Sequence, residues 1–163
     1  MKFDQFLQHE KYSYKIFDTA ELLELIRHNK PFIKSLENSI RIYRNHNEFA
    51  ITDLIKEYLE SKPNSITKYS IIYKKNIIIS TCRIIYTKKL GYFNLVYVNS
   101  DYRNKKICQI HIKHLIDCFK LPKYELHVLK NNAPAIKCYE NINFKQIEQS
   151  SRKKNDILMR LKK

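Results

Sequence analysis

The segment Tyr92–Leu115 reads YFNLVYVNSDYRNKKICQIHIKHL. It opens with β-branched and aromatic residues in alternation, the pattern of a buried or half-buried strand. Asn99-Ser100-Asp101 follows, three residue types that favour turns and helix entry. Beyond the turn Cys108, Ile112, Leu115, Ile116 and Phe119 recur at helical spacing and define one apolar face. The segment therefore predicts a strand, a short basic turn and a helix from about Arg103 to Phe119. The first turn of a helix carries backbone N–H groups without intrahelical acceptors, and the macrodipole adds partial positive charge there. A strand running directly into such a turn makes an anion site, most often for phosphate. Arg103, Lys105 and Lys106 lie in this turn. A charge run of that kind, taken by its spacing alone, ordinarily just faces water.

From Val98 through Arg103 and Lys106 to Cys108, the residues VNSDYRNKKIC resemble the acyl-CoA pyrophosphate loop of the GNAT superfamily of N-acetyltransferases, Y-R-x-x-G-x-G/A after a strand. Leu126 to Phe144, LHVLKNNAPAIKCYENINF, resembles that family's second signature, L-x-V-x-x-x-N-x-x-A-x-x-x-Y-x-x-x-G-F. Both occur in order and at the right distance. The likeness is closest to the protein amino-terminal acetyltransferases. It implies an α/β (α+β) GNAT fold: a central mixed, mostly antiparallel sheet of six to seven strands, splayed in the middle and flanked by about four helices.

The rest of the chain is compatible. Its 163 residues are expected to form one domain, 1–163, with 44% hydrophobic content to build a core. Tyr12–Phe17 alternates as a strand. Asp18 offers an N-cap with Glu21 in the capping-box position, and Leu22, Leu25 and Ile26 carry a helical stripe to about His28. A short helix is predicted over Ser35–Tyr43 and a firmer one from Asn47 to Glu60. Thr67–Tyr73, Ile77–Tyr86 and Tyr92–Val98 read as antiparallel neighbours joined by turns. Tyr124–Leu129 is a further strand, Asn132 caps a helix with Pro134 in its first turn, and Asn143 takes the family's glycine position at that helix's end. Phe144–Gln149 and Asp156–Leu161 form a terminal hairpin. The amino terminus has no apolar stretch like that of a signal peptide, so a soluble, cytoplasmic protein is expected.

Four cysteines (82, 108, 118 and 138) show no metal-ligand spacing and sit in apolar patterns, where reduced thiols are the ordinary state. His111 and His114 have no third ligand with them, so no metal is expected. Thirty-one Lys and Arg against sixteen Asp and Glu give +15. That balance suggests anionic partners. The chain is also rich in Asn, Ile and Tyr, as AT-rich coding would make it, and its basic residues are dispersed. Nucleic acid is thus the lesser expectation, and no membrane partner is expected.

The resemblance implies acetyl-CoA as co-substrate. It assigns the backbone of Val96 and Val98, and of Arg103, Asn104, Lys105, Lys106, Ile107 and Cys108, to cofactor binding, the latter group at the pyrophosphate. Asn132 would hydrogen-bond the pantetheine in the gap between strands. Tyr139 matches a tyrosine that faces the CoA sulfur, and a phenol can protonate a departing thiolate. His127 sits where several amino-terminal acetyltransferases carry a base, with a tyrosine at the position of Tyr92 as its partner. An imidazole can take a proton from an ammonium, directly or through water. Lys106 replaces the first loop glycine, and Cys108 the second small residue. Two functions follow. The first is an acetyl-CoA-dependent N-acetyltransferase acting on a primary amine, a protein or peptide amine ahead of a small polyamine or aminoglycoside. The other is a catalytically degenerate GNAT-fold module that binds nucleic acid or a protein through its basic surface.

Overall fold

The computed structural model describes residues 2–28, 65–147 and 155–163. The helices expected at Ser35–Tyr43 and Asn47–Glu60 lie outside the described residues, as does most of the loop in the terminal hairpin. The elements are α1 (Phe3–Glu10), β1 (Ser13–Phe17), α2 (Thr19–His28), β2 (Ile66–Lys74), β3 (Ile77–Tyr86), β4 (Gly91–Val98), a 3-10 turn (Ser100–Tyr102), α3 (Ile107–Phe119), β5 (Lys123–Leu129), α4 (Ala133–Glu140), β6 (Lys145–Ile147) and β7 (Asp156–Lys162). The strands form one seven-stranded sheet in the order β1-β2-β3-β4-β5-β7-β6. Every pairing is antiparallel except β4 with β5. This is the expected mixed α/β architecture, with a single parallel pair at its centre.

Local chemistry accounts for the ends of α2 and α4. The Asp18 amide donates to Glu21 Oε2 and the Glu21 amide to Asp18 Oδ1, both at 2.8 Å, which closes the capping box of α2. Asn132 Oδ1 accepts from the Ala135 amide at the start of α4. Asn143 ends α4 with φ 70, the Phe144 amide reaching back to the Tyr139 carbonyl and the Asn143 amide to that of Glu140. That is a Schellman closure, and asparagine tolerates its left-handed position where glycine is usual.

Two elements depart from expectation. Helix α1 was not anticipated in the polar amino terminus, although Phe3, Phe6 and Leu7 share a face and Phe6 is buried. Helix α3 begins at Ile107, later than Arg103, because Asn99 accepts a hydrogen bond from the Asp101 amide and folds residues 100–102 into a separate 3-10 turn.

The main core lies between the sheet and helices α3 and α4. Phe93 stacks on Tyr124 with centroids 5.5 Å apart, and the buried Tyr124 hydroxyl bonds the Ile116 carbonyl and Leu121 amide. Gly91, the chain's single glycine, lets β4 pass this ring: a Cβ there would lie 2.8 Å from Tyr124 Cδ1. Among the described residues no helix is long and apolar enough to cross a membrane.

Candidate active site

Strand β4 is paired on both sides at its start and on one side at its end. Gly91, Tyr92 and Phe93 oppose Tyr124, Glu125 and Leu126 of β5, and pairing with β5 stops there. On the β3 side the register shifts between Thr81 and Arg83, and Leu95 takes φ 48. A bulge of this kind bends a strand and ends pairing. The two central strands therefore part at Asn94 and His127, the gap that the resemblance implied.

Phe93, Leu126 and Val128 belong to the core under α3 and α4. By strand alternation Tyr92 and His127 face the opposite side of the sheet. The Tyr92 hydroxyl lies 3.0 Å from His127 Nδ1. His127 Nε2 is shielded from solvent and has no hydrogen-bond partner among the described residues. With Nδ1–H donating to the phenol oxygen, Nε2 keeps its lone pair, the state a general base requires. Nearby on β5, Glu125 accepts from Arg160 of β7 at 2.7 Å. Arg83, only 7% exposed, donates to Asn94 Oδ1 at 2.6 Å. Sequence reasoning did not single out these two pairs. A polar Asn94 amid strand formers was the available signal, but its meaning depends on a register that sequence does not show.

At the turn, Asn104 and Lys106 adopt φ 64 and 59. Lys106 thus keeps the left-handed conformation of the glycine it replaces. Its side chain is exposed and forms no ion pair or hydrogen bond found among the described residues. Neither do the backbone hydrogen bonds found there use the amides of residues 104–109; the first amide of α3 to bond back is that of Ile110, to Lys106. Successive amides in alternating right- and left-handed backbone form an anion-binding concavity.

Arg103 bonds within the turn itself. Its amide bonds the Ser100 carbonyl, and its Nε donates to the carbonyl of Val98 at 3.2 Å. That guanidinium ties the turn to the end of β4. Lys105 is drawn aside to Glu10 at 3.6 Å, with its ammonium 5.9 Å from the Tyr102 ring centroid.

Cys108 corrects the cysteine reading. Expected to be reduced, it forms a disulfide with Cys138 of α4, their Cα atoms 6.6 Å apart. No pairing was legible because the partners come from separate helices that only the tertiary fold brings together. Ile107 is buried beside α1. Asn132 spends its carbonyl oxygen on the cap of α4 and leaves its amide NH2 for other use. Tyr139 is buried on the α3–α4 face with its ring centroid 6.2 Å from that of Phe144. It therefore stands across the sheet from Tyr92 and His127. Among the described residues no group of three or more His, Cys, Asp or Glu could hold a metal.

The acetyltransferase (GNAT) family profile matches residues 22–144. No curated protein matches the chain. Solved structures do. An acetyltransferase from Streptococcus agalactiae is similar with TM-score 0.68 and 14% identity over 91% of this chain and 98% of that one. The ribosomal-protein-S18-alanine N-acetyltransferase of Escherichia coli has TM-score 0.62 and 16% identity over 93% of each chain. The N-acetyltransferase PseH of Campylobacter jejuni, in complex with acetyl coenzyme A, has TM-score 0.61 and 19% identity over 92% of this chain and 99% of that one. At such identities the structures attest the fold, while the profile match, spanning most of the chain and both signatures, attests the family. The chain belongs to the acetyltransferase (GNAT) family and is in class an N-acyltransferase.

Proposed function

We propose that residues 1–163 form one domain that transfers an acetyl group from acetyl-CoA to a primary amine, with a protein or peptide amine favoured, in the cytoplasm. The observation that carries this is the Tyr92–His127 hydrogen bond at the point where β4 and β5 part. Elsewhere on the sheet such a pair would be a surface contact. Here an imidazole nitrogen without a partner among the described residues stands beside a backbone gap. The residues present suit the cofactor: the amides of residues 104–109 have no protein acceptor found for them, which fits a pyrophosphate, and Asn132 keeps a donor for the pantetheine.

Bound acetyl-CoA supplies the acetyl group as a thioester. The chain's groups do the remaining work. His127 Nε2 takes a proton from the acceptor amine, directly or through one water, while Nδ1–H on Tyr92 holds the ring and its tautomer. Tyr139, from the other face, stands ready to protonate the leaving thiolate. The amides of Val96 and Val98 hold the acyl end. Support for a protein acceptor is the His127–Tyr92 match, together with the name of the Escherichia coli enzyme of similar fold, which acts on the alanine of ribosomal protein S18. The net charge of +15 disfavours a strongly cationic acceptor. Lys106, being exposed and unpaired among the described residues, gives no support to the degenerate module.

Calorimetric titration of acetyl-CoA, followed by an acceptor screen with amino-terminal peptides and polyamines scored by thiol release, tests the reading. One-to-one binding competed by CoA, with peptide turnover abolished in His127→Ala, is expected. Absence of binding at millimolar cofactor would overturn it.

A further inference from the structure

Past Phe93, strand β4 has no β5 partner, and its other edge is held by side chains as well as backbone. Thr81 Oγ1 donates to the Leu95 carbonyl at 3.0 Å, and Ser80 Oγ donates to the Tyr97 carbonyl at 2.9 Å. A trans peptide points its C=O and its N–H to opposite sides. Fixing these two carbonyls toward β3 therefore aims the N–H groups of the next residues, Val96 and Val98, away from β3 and into the gap.

Behind Ser80 stands a buried histidine. Ser80 has one hydroxyl proton, and once it is given to Tyr97 the oxygen serves His111 Nδ1, 2.9 Å away, only as acceptor. Nδ1 then carries the ring proton. His111 is 1% exposed, and burial pushes its pKa down to about 3, so the ring is neutral. Nε2 must accept, and it does so from Ser70 Oγ at 2.6 Å. The Ser70 hydroxyl also lies 3.2 Å from that of Tyr14. Of the two neutral tautomers only this one makes both serine–histidine bonds together with the Ser80–Tyr97 bond. The result is a proton-ordered chain from β2 through α3 and β3 to one carbonyl of β4.

We propose that Ser80 and Thr81, with His111 locking Ser80, are positioning residues that aim the Val96 and Val98 amides at the acyl end of the bound thioester. This rests on the acyltransferase reading and adds the side chains that set the geometry of the strand. None of the three touches the cofactor; each acts through a peptide plane.

Isotope-edited infrared spectroscopy of acetyl-CoA carrying 13C at the thioester carbonyl reads the geometry without needing an acceptor. In the unaltered protein, binding should lower the carbonyl frequency, and acetyl-CoA should bind more tightly than CoA. Ser80→Ala should lose the frequency shift and weaken acetyl-CoA by about 10-fold, the order of one lost hydrogen bond, with CoA affinity unchanged. Ser80→Thr should restore both. Thr81→Val, nearly isosteric, should act as Ser80→Ala does, and decides the matter if the latter does not fold. Ser70→Ala, on the far side of His111, is the control for lost core bonding and should keep the shift. A full shift in both Ser80→Ala and Thr81→Val, or an equal loss in Ser70→Ala, would overturn the proposal while leaving the acyltransferase reading intact. Failure of the unaltered protein to bind either CoA or acetyl-CoA would remove both.

Discussion

The two halves of β4 are held in different ways. Gly91–Phe93 is enclosed between β3 and β5 and packed on the Tyr124 ring. Asn94–Val98 has lost β5, carries a left-handed Leu95 and leans on the hydroxyls of Ser80 and Thr81. The enclosed half is paired with a strand on either side. The open half diverts some of its backbone groups to a gap, and side chains on β3 supply the rigidity that a second neighbour would have given. His127 and His111 mark the division. One keeps a nitrogen without a partner among the described residues; the other has both nitrogens committed to serines.

The largest expected separation of the two roles is at His127. Its replacement by alanine should lower turnover by about 100- to 10,000-fold, the usual worth of a general base, with thermal stability and acetyl-CoA affinity unchanged. Steady-state kinetics beside a melting curve reads both.

The disulfide comes next. It fastens the first turn of α3, just past the open half, to α4, and the two cysteines stand 30 residues apart. Loop-closure entropy assigns such a link about 3.6 kcal/mol. Reduction should lower stability by that order in urea titrations, and should speed amide exchange at residues 104–109 while leaving the enclosed half protected.

A comparable blow to the enclosed half is Gly91→Ala. Its Cβ would meet a Tyr124 ring fixed by two hydrogen bonds, so overpacking should cost about 2 kcal/mol. Denaturant unfolding would read it, with turnover per folded molecule retained.

Acid offers a gentler probe. Buried His111 stays neutral in the fold, with its pKa pushed down to about 3, whereas in the unfolded chain it takes a proton below about pH 6.5. The unfolded state thus binds more protons as pH falls. This contribution is complete above about pH 6.5 and is lost toward pH 3, at about 1.4 kcal/mol per pH unit. Melting temperatures from pH 4 to 8 should show the slope, and His111→Gln should flatten it.

How much of this was legible beforehand follows the range of the interactions. Local chemistry was readable: the Asp18–Glu21 capping box, the Asn132 cap and the left-handed closure at Asn143 all rest on neighbours in sequence. The pairing of Tyr92 with His127 was reachable through the family signatures. Ser80, Thr81 and His111 were not, because their partners follow from a register shift and a helix docking that no local pattern encodes. Helix α1 was missed for another reason: its face of Phe3, Phe6 and Leu7 is too short to stand out among Asp4, Gln5 and Gln8.

The smallest effect concerns Lys106, which holds φ 59 without glycine's freedom. Lys106→Gly should relieve backbone strain, offset in part by unfolded-chain entropy, for a net gain below about 1 kcal/mol. A rise of a degree or two in melting temperature, with CoA affinity maintained, would fit.

The central claim, that the open half of β4 and the turn after it form the acyl-CoA site, is tested most directly by amide NMR during titration with acetyl-CoA. The largest shifts are predicted at the amides of Val96, Val98 and residues 104–109, with Gly91–Phe93 nearly still. Saturable shifts centred elsewhere, or none at millimolar cofactor, would contradict it.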